Sequence, residues 1–586
     1  MKAALPTSTR FVSWLALGLV LVVAAGTCLA EAAGDTAGEA SAPVLGYLPE
    51  GTETAPDLPT YRLPGPKPEG DIPDPETLEE MGAVVGSIKI LRGDIFDLEN
   101  PKENYKLYRL ANRLHRKTRS HVVEEYLLFK PGDRYSRYAI EETERILRAQ
   151  RYLFDAEVRP IRFHDNQVDL VVLTRDVWTL TASASFGRSG GENDTRFELQ
   201  DSNFLGTGKE VLIERLSDVD RTSSRFGYRD PNVLGSRARL EAIYSDNSDG
   251  TFQKLEIERP FFSLETHWSA GGEYVADDRV DSFYRLGKVN GKFRHSETFF
   301  EIRGGVSRGL KNGFSRRWLE GFTFERDRFE ATSAPLPPGI ELADRTLAYP
   351  WIGYQRLENR FLKTQDLNRI GRTEDLNIGQ RFEVRLGWSS PVFGGDENLA
   401  ILGARYGTGF EPGEGRLFLF DSYVSGRFGG DGAENTLVGA SARLHWRDWG
   451  RHTFYAYLGF DLAENLDPER QLLLGGDTGL RGYPLRYQSG DRRALLTLEQ
   501  RFFTPWHPFR LAYIGAAVFF DIGQVWSSEG DKSDDLGALS NLGLGLRISP
   551  SRSGLGSVLH LDVAFPLAGD PSIDKVQFLV MTRDSF

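Results

Sequence analysis

The sequence predicts a mainly β protein: a transmembrane antiparallel β-barrel over residues 179–586, preceded by a small α+β module over 83–178. Three observations carry this prediction. From about Trp178 onward, short runs alternate apolar and polar residues and are separated by Gly, Asn, Asp and Pro, the punctuation of strands joined by tight turns. In those runs the apolar face is rich in aromatics while the polar face carries charges at mid-strand, as in a lipid-facing band around a wet interior. Behind the N-terminal leader no stretch approaches the length of an apolar membrane helix. A closed barrel is the other structure that satisfies its backbone inside lipid.

The elements follow in order. Lys2 and Arg10 flank the start of an apolar stretch over 11–25, and the small residues Ala30, Ala32 and Ala33 come after it. This is the layout of a secretory signal peptide over 1–30, cleaved after Ala30. The single cysteine, Cys28, lies inside it, so the mature protein has none. Lipid attachment at Cys28 is the competing reading, and Ala25-Gly26-Thr27 makes a poor site for it. Residues 31–82 are rich in Pro, Gly, Glu and Asp and read as a disordered acidic linker. In the module, 84–91 reads as a strand, and 105–115 has helical spacing through Leu107, Leu110 and Leu114. A second short helix is expected over 121–128, a turn at Pro131-Gly132-Asp133, and a helix over 138–151 with Ile140, Ile146 and Leu147 as its apolar stripe. Two strands close the module, 154–163 and 168–174, the latter with Val168, Leu170 and Val172 on one face.

In the barrel region the two faces of each run differ. Over 381–388, Phe382, Val384, Leu386 and Trp388 oppose Arg381, Glu383 and Arg385. Over 454–462, Phe454, Leu458, Phe460 and Leu462 oppose Tyr455, Tyr457 and Asp461. Over 558–565, Leu559, Leu561, Val563 and Phe565 oppose His560 and Asp562. About 21 candidate runs can be marked, sixteen before a glycine-rich loop near residue 480 and five after it. A chain entering on the module side and reaching a loop on the far side needs an odd number of strands before it, so one earlier run is not a wall strand. The net charge is −12 and no basic stripe stands out, which argues against nucleic acid as a partner.

That loop reads Gly475-Gly476-Asp477-Thr478-Gly479-Leu480-Arg481-Gly482-Tyr483. Its glycines admit backbone conformations closed to other residues, and they surround one arginine. On the following strand, 494–502, Leu496, Leu498 and Phe502 face outward, leaving Leu495, Thr497, Glu499 and Arg501 inward. Asp521 faces inward on the next strand. An arginine fork pairs with carboxylates through strong charge-assisted bonds, so the loop is expected to fold into the barrel and be pinned there. The alternative is a surface turn whose arginine meets water. Gly305-Val306-Ser307-Arg308-Gly309 matches a hydrolase nucleophile elbow, but an elbow needs a strand running into a helix and no helical pattern follows. The nine histidines show no metal-ligand spacing.

The loop resembles a known family. Leu480-Arg481-Gly482-Tyr483, preceded by Gly475-Gly476-Asp477, is similar to the signature of the sixth surface loop in the BamA/TamA superfamily, which includes bacterial outer-membrane assembly factors and two-partner secretion transporters. The resemblance continues through Glu499 and Phe519-Phe520-Asp521-Ile522-Gly523, and Ser202-Asn203-Phe204-Leu205-Gly206-Thr207-Gly208 resembles the family's first periplasmic turn. The module resembles one POTRA domain, with Lys130-Pro131-Gly132-Asp133 before a helix, and the last strand ends on Phe586, an aromatic of the kind that serves such barrels as a C-terminal folding signal.

The resemblance implies a monomeric 16-stranded barrel in the outer membrane of a Gram-negative cell, with its N-terminal domain in the periplasm. It implies that the POTRA domain receives unfolded client polypeptides or accessory periplasmic proteins. Clients would pass along a seam between the first and last strands (179–188 and 576–586) or through the lumen. Leu480, Arg481, Gly482, Tyr483, Glu499 and Asp521 would lock the loop. No enzyme, cofactor or metal is implied. The chain departs from the family in carrying a single POTRA candidate and an extra helical stretch over 103–119. A passive porin, or a structural or adhesive barrel with a periplasmic spacer, is the alternative. Whether clients are inserted or secreted, or lipid is moved, stays open.

Overall fold

The computed structural model describes residues 63–586 except 431, 450, 528–535, 555–556, 572 and 584–586. The signal peptide, Cys28, the first part of the linker and Phe586 therefore lie outside the described residues.

The N-terminal module runs α1 (Pro75–Glu80), β1 (Val84–Gly93), α2 (Lys106–Leu114), α3 (Ser120–Glu124), α4 (Arg137–Arg148), β2 (Leu153–His164) and β3 (Gln167–Asp176). β3 is the central strand, parallel to β1 and antiparallel to β2. Its Val168, Leu170, Val171, Val172 and Leu173 are all buried, because both faces of the sheet are covered. On one face Val122, Val123, Ile140 and Leu147 of α3 and α4 pack on Val168, Leu170 and Val172. On the other, Leu63 packs on Val171 and Leu173.

This corrects the linker expectation for residues 63–82. Asp74 caps α1 by accepting from the Glu76 and Thr77 amides at 3.0 and 2.9 Å. Leu78 is completely buried, and the Glu69 amide donates to Ile161 O at 2.7 Å. Composition hid this, because a few anchors among Pro, Gly and acids suffice once a sheet face lies open to receive them.

The barrel wall begins at strand Leu180–Ser189 and ends at Gln577–Arg583. Among the described residues it holds twenty strands, each antiparallel to its neighbours in the chain. The expected sixteen is thus corrected. Fifteen wall strands precede the glycine loop and five follow, an odd number before it. The count after the loop matched the family, but it carries no information about the wall before it, where every run from 180 to 464 is paired into the wall except the short hairpin Phe361–Gln365 with Thr373–Asn377.

The two sides of the wall are chemically inverted relative to a soluble barrel. Phe186, Phe197, Trp318, Ile352, Leu386, Trp388, Phe460 and Phe578 are exposed on the outside. The inside carries ion pairs such as Arg303 with Glu256, Glu258, Glu273 and Glu301. This is the alternation of a membrane barrel with a polar interior.

Closure is uneven. The first strand pairs with the second at ten positions and the last with the one before it at seven. Among the described residues the first and last strands meet at one register pair, Arg188 with Val580. Just outside the wall, the Trp178 amide donates to Arg552 O at 2.7 Å and the Gly554 amide to Trp178 O at 3.0 Å.

Candidate functional site

The far-side loop between strands His452–Glu464 and Arg492–Phe503 turns back into the barrel. Of its motif glycines only Gly479 needs a left-handed backbone, with φ of 124°. Gly482 is there for space, since a Cβ on it would stand 2.6 Å from Asn541 Cβ. Leu480 and Tyr483 are fully buried, and with Leu474, Tyr487, Val525 and Leu539 they form an apolar cluster. The Tyr483 hydroxyl donates towards Ser540 O and Ala568 O at 2.8 and 2.6 Å.

Arg481 is 4% exposed. Its Nε and Nη2 donate to the two oxygens of Asp521, both at 2.8 Å, and its Nη1 to Glu499 Oε2 at 3.0 Å. The guanidinium lies over the Phe519 ring at 3.3 Å from its centroid, a cation–π contact. Asp521 also accepts from Thr497 Oγ1 at 2.9 Å and Asn541 Nδ2 at 2.8 Å, while Asn541 Oδ1 receives the Gly482 amide at 3.1 Å. Asp562 stands 3.8 Å from Arg481 and pairs with Arg547. Arg481, Arg501 and Arg547 thus face Glu499, Asp521 and Asp562 in one buried cluster of mixed charge, with Arg583 beside it.

The structure brings Leu480, Arg481, Gly482, Tyr483, Glu499 and Asp521 together in one place. Sequence reasoning missed Asn541 and Gly543. The signal was present: Leu542, Leu544 and Leu546 alternate outward, so Asn541, Gly543, Gly545 and Arg547 face in. Gly543 makes room for the ring under Arg481, because a Cβ there would come 2.2 Å from Phe519 Cζ and 2.6 Å from Val563 O. Gly543→Ala is expected to destabilise the folded barrel by about 1–3 kcal/mol through overpacking, read as a lower thermal unfolding midpoint in detergent.

A second stopper enters from the module side. The tip of the hairpin Phe361–Gln365/Thr373–Asn377 inserts Ile370 against Phe503, Ala517 and Tyr513, and Leu367 against Leu417 and Leu419. The Glu374 carboxylate accepts from the amides of Leu367, Asn368 and Arg369 at 3.1, 2.9 and 3.1 Å, which stiffens the tip. Arg501 donates both to Glu499 Oε1 at 3.1 Å and to Leu367 O at 3.4 Å. The module grips the same hairpin from below. Arg148 of α4 makes a two-point bond to Asp375 at 2.6 and 2.8 Å, Arg372 donates to Leu153 O at 2.7 Å, and Arg145 lies over the Phe361 ring at 4.2 Å. Ser307 of the elbow-like pentapeptide lies inside strand Lys288–Lys311 and donates to Arg316 O at 2.9 Å, so no strand-to-helix elbow forms.

The module's three-stranded sheet, two covering helices and paired β2–β3 hairpin set the frame for comparison with known proteins. Residues 114–177 match POTRA, "Surface antigen variable number repeat". This chain carries a POTRA domain. No curated protein matches the chain. Solved structures similar to it include BamA from Haemophilus ducreyi lacking POTRA domains 1–3, at 13% identity and a TM-score of 0.37, covering 85% of this chain and 84% of that one. CdiB from Acinetobacter baumannii aligns at 12% identity and 0.41, covering 86% and 74%. CdiB from Escherichia coli aligns at 11% and 0.44, covering 86% and 77%. The match begins at residue 114, so β1 and all of α2 but Leu114 lie ahead of the matched residues.

Proposed function

We propose that this chain is an outer-membrane assembly or translocation factor of the BamA/TamA superfamily, with its POTRA domain in the periplasm. The observation that carries the reading is the single-pair closure between Leu180–Ser189 and Gln577–Arg583 beside that domain. Among the described residues every other joint of the wall has seven or more register pairs, so the wall opens first where pairing is sparsest, and a strand edge freed in lipid has strong reason to find a new partner. An unfolded client can supply that partner by adding a strand, the mode by which extended peptides join sheet edges. In this reading the POTRA domain takes up the client or an accessory protein, and the seam accepts it without nucleotide or metal. The pinned loop holds the wall in register while the seam works. The chain acts as a monomer, and the two stoppers distinguish it from a passive porin.

A photo-crosslinking residue placed at Phe186 on the first strand, or at Phe578 on the last, is expected to capture unfolded outer-membrane polypeptides in living cells. The same residue at Trp388, on the outer wall away from the seam, is expected to capture none. Equal capture at all three positions, or none at any, together with a steady conductance indifferent to deletion of the POTRA domain, overturns the reading in favour of a pore. A disulfide between Arg188→Cys and Val580→Cys is expected to abolish capture, and reduction to restore it.

A further inference from the structure

Helix α2 has two unlike faces. One face is fixed to the protein. Tyr108 stacks on Phe96 at 4.2 Å between centroids, its hydroxyl donates to Phe509 O of a module-side barrel turn, and Asn112 exchanges bonds with the Phe96 backbone at 3.1 and 2.8 Å. The segment is also tied down at both ends. Glu103 accepts from Arg175 and Arg552, and the Arg119 amide donates to Gly206 O at 2.9 Å. The rest of the helix faces outward and is open among the described residues. Leu107, Leu110 and Leu114 are 66%, 47% and 63% exposed. At 100° per residue they fall in one narrow stripe. Beside that stripe lie Lys106, Arg109 and Arg113, all exposed, and Arg116, Lys117 and Arg119 follow. No acidic residue occurs from 106 to 119, in a chain of net charge −12.

The stripe runs into the outer wall of the barrel. A groove of about 510 Å³ separates Leu114 and Arg116 from Leu180, Leu199 and Ile213 of the first three strands, with Phe204 and Leu205 beside it. Those wall residues are exposed apolar side chains of the face that meets lipid. The groove is therefore continuous with the lipid-facing surface, next to the seam, at the module-side rim.

We propose that α2 and this groove form a docking site for an anionic phospholipid of the periplasmic leaflet. The helix lies in the headgroup layer with its leucines toward the acyl chains, its basic residues at the phosphates, and a chain in the groove. An exposed leucine stripe bordered by Lys and Arg is the composition of helices that lie in the membrane interface, and basic side chains at that depth favour anionic lipid. This rests on the outer-membrane reading above. It adds that the POTRA domain is itself anchored to the bilayer beside the seam.

The test uses the full chain with Cys28→Ser, labelled with a polarity-sensitive fluorophore at Leu110→Cys or, as a reference, at Phe197→Cys on the outer wall. Each is reconstituted in phosphatidylcholine vesicles with or without phosphatidylglycerol, containing nitroxide-labelled lipid. Both labels are expected to be quenched, Leu110 most by a shallow nitroxide and more strongly when phosphatidylglycerol is present. Quenching at Phe197 with none at Leu110 overturns the proposal while leaving the barrel in the membrane. Quenching at neither site removes the outer-membrane reading and the proposal with it. The variant Arg109→Gln/Arg113→Gln/Arg116→Gln is expected to lose the phosphatidylglycerol dependence while keeping Phe197 quenched. If the dependence persists in that variant, the anionic assignment is wrong.

Discussion

Arg481→Ala is expected to cost about 3–5 kcal/mol of barrel stability, because it leaves Glu499 and Asp521 buried beside each other with their cation gone. Both carboxylates are at most 5% exposed, so water cannot replace the lost bonds. The measurement is thermal unfolding in detergent, followed by the gel shift between folded and unfolded barrel. Asp521→Ala is expected to resemble it, since that change strands Arg481, Thr497 and Asn541 together. The double variant is expected to lose much less than the sum of the two, the signature of partners in one network. Arg481→Lys is expected to fall between, keeping the charge but losing the two-point fork to Asp521. If both single variants unfold at the wild-type temperature, the loop is not held by this cluster.

The second large effect is expected at the contact between the POTRA domain and the inserted hairpin. Asp375→Ala removes one of the two carboxylates paired with the buried Arg148 and leaves Glu144 in place. Losing this charge-assisted two-point bond while Glu144 remains costs about 1.5–3 kcal/mol, which corresponds to roughly one to two decades in the population of the unseated hairpin. Hydrogen–deuterium exchange at the tip amides of residues 367–371 is expected to accelerate by a similar factor. Core amides of β3, whose side chains pack on both faces of the sheet, are expected to keep their protection. An unchanged rate at the tip would mean that the hairpin is seated by the barrel wall alone. Combining Asp375→Ala with Arg481→Ala frees both stoppers and is expected to raise ion conductance in planar bilayers above that of either single change.

Much of the loop site could be read from the chain because its geometry follows a short period. Alternation alone turns Thr497, Glu499 and Arg501 inward on one strand and Asp521 on the next, and the loop carries one arginine near them. The hairpin offered no such rule. Arg148 and Asp375 lie 227 residues apart, and five-residue strands have too few positions to show a face. The long wall strands carry local signals that pairing overrides. Lys288–Lys311 contains Gly291, Gly304, Gly305 and Gly309, which look locally like turn punctuation. Pairing on both sides carries the strand through them, with Gly309 in a left-handed conformation at a register shift, so tertiary contacts overrode the local signal. The four strands beyond sixteen fall in the wall upstream of the loop, where the family motifs are sparse. In the module, hydrophobic spacing located β1 and helices α2 to α4, although α3 and α4 bury their apolar residues while the leucine stripe of α2 is exposed. Residues 63–82 were misread because isolated anchors have no period. For α2, attention to its leucines hid the run of basic residues between them.

Arg501 touches both stoppers at once, with one nitrogen on the carboxylate that holds the outer loop and another on the carbonyl of the inner hairpin. Whatever free energy unseating the hairpin adds to release of the loop must, by thermodynamic linkage, equal what release of the loop adds to unseating the hairpin. A ligand that unseats the hairpin on one side of the barrel would then loosen the loop on the other, and any change that frees the loop would raise affinity for that ligand by the same factor.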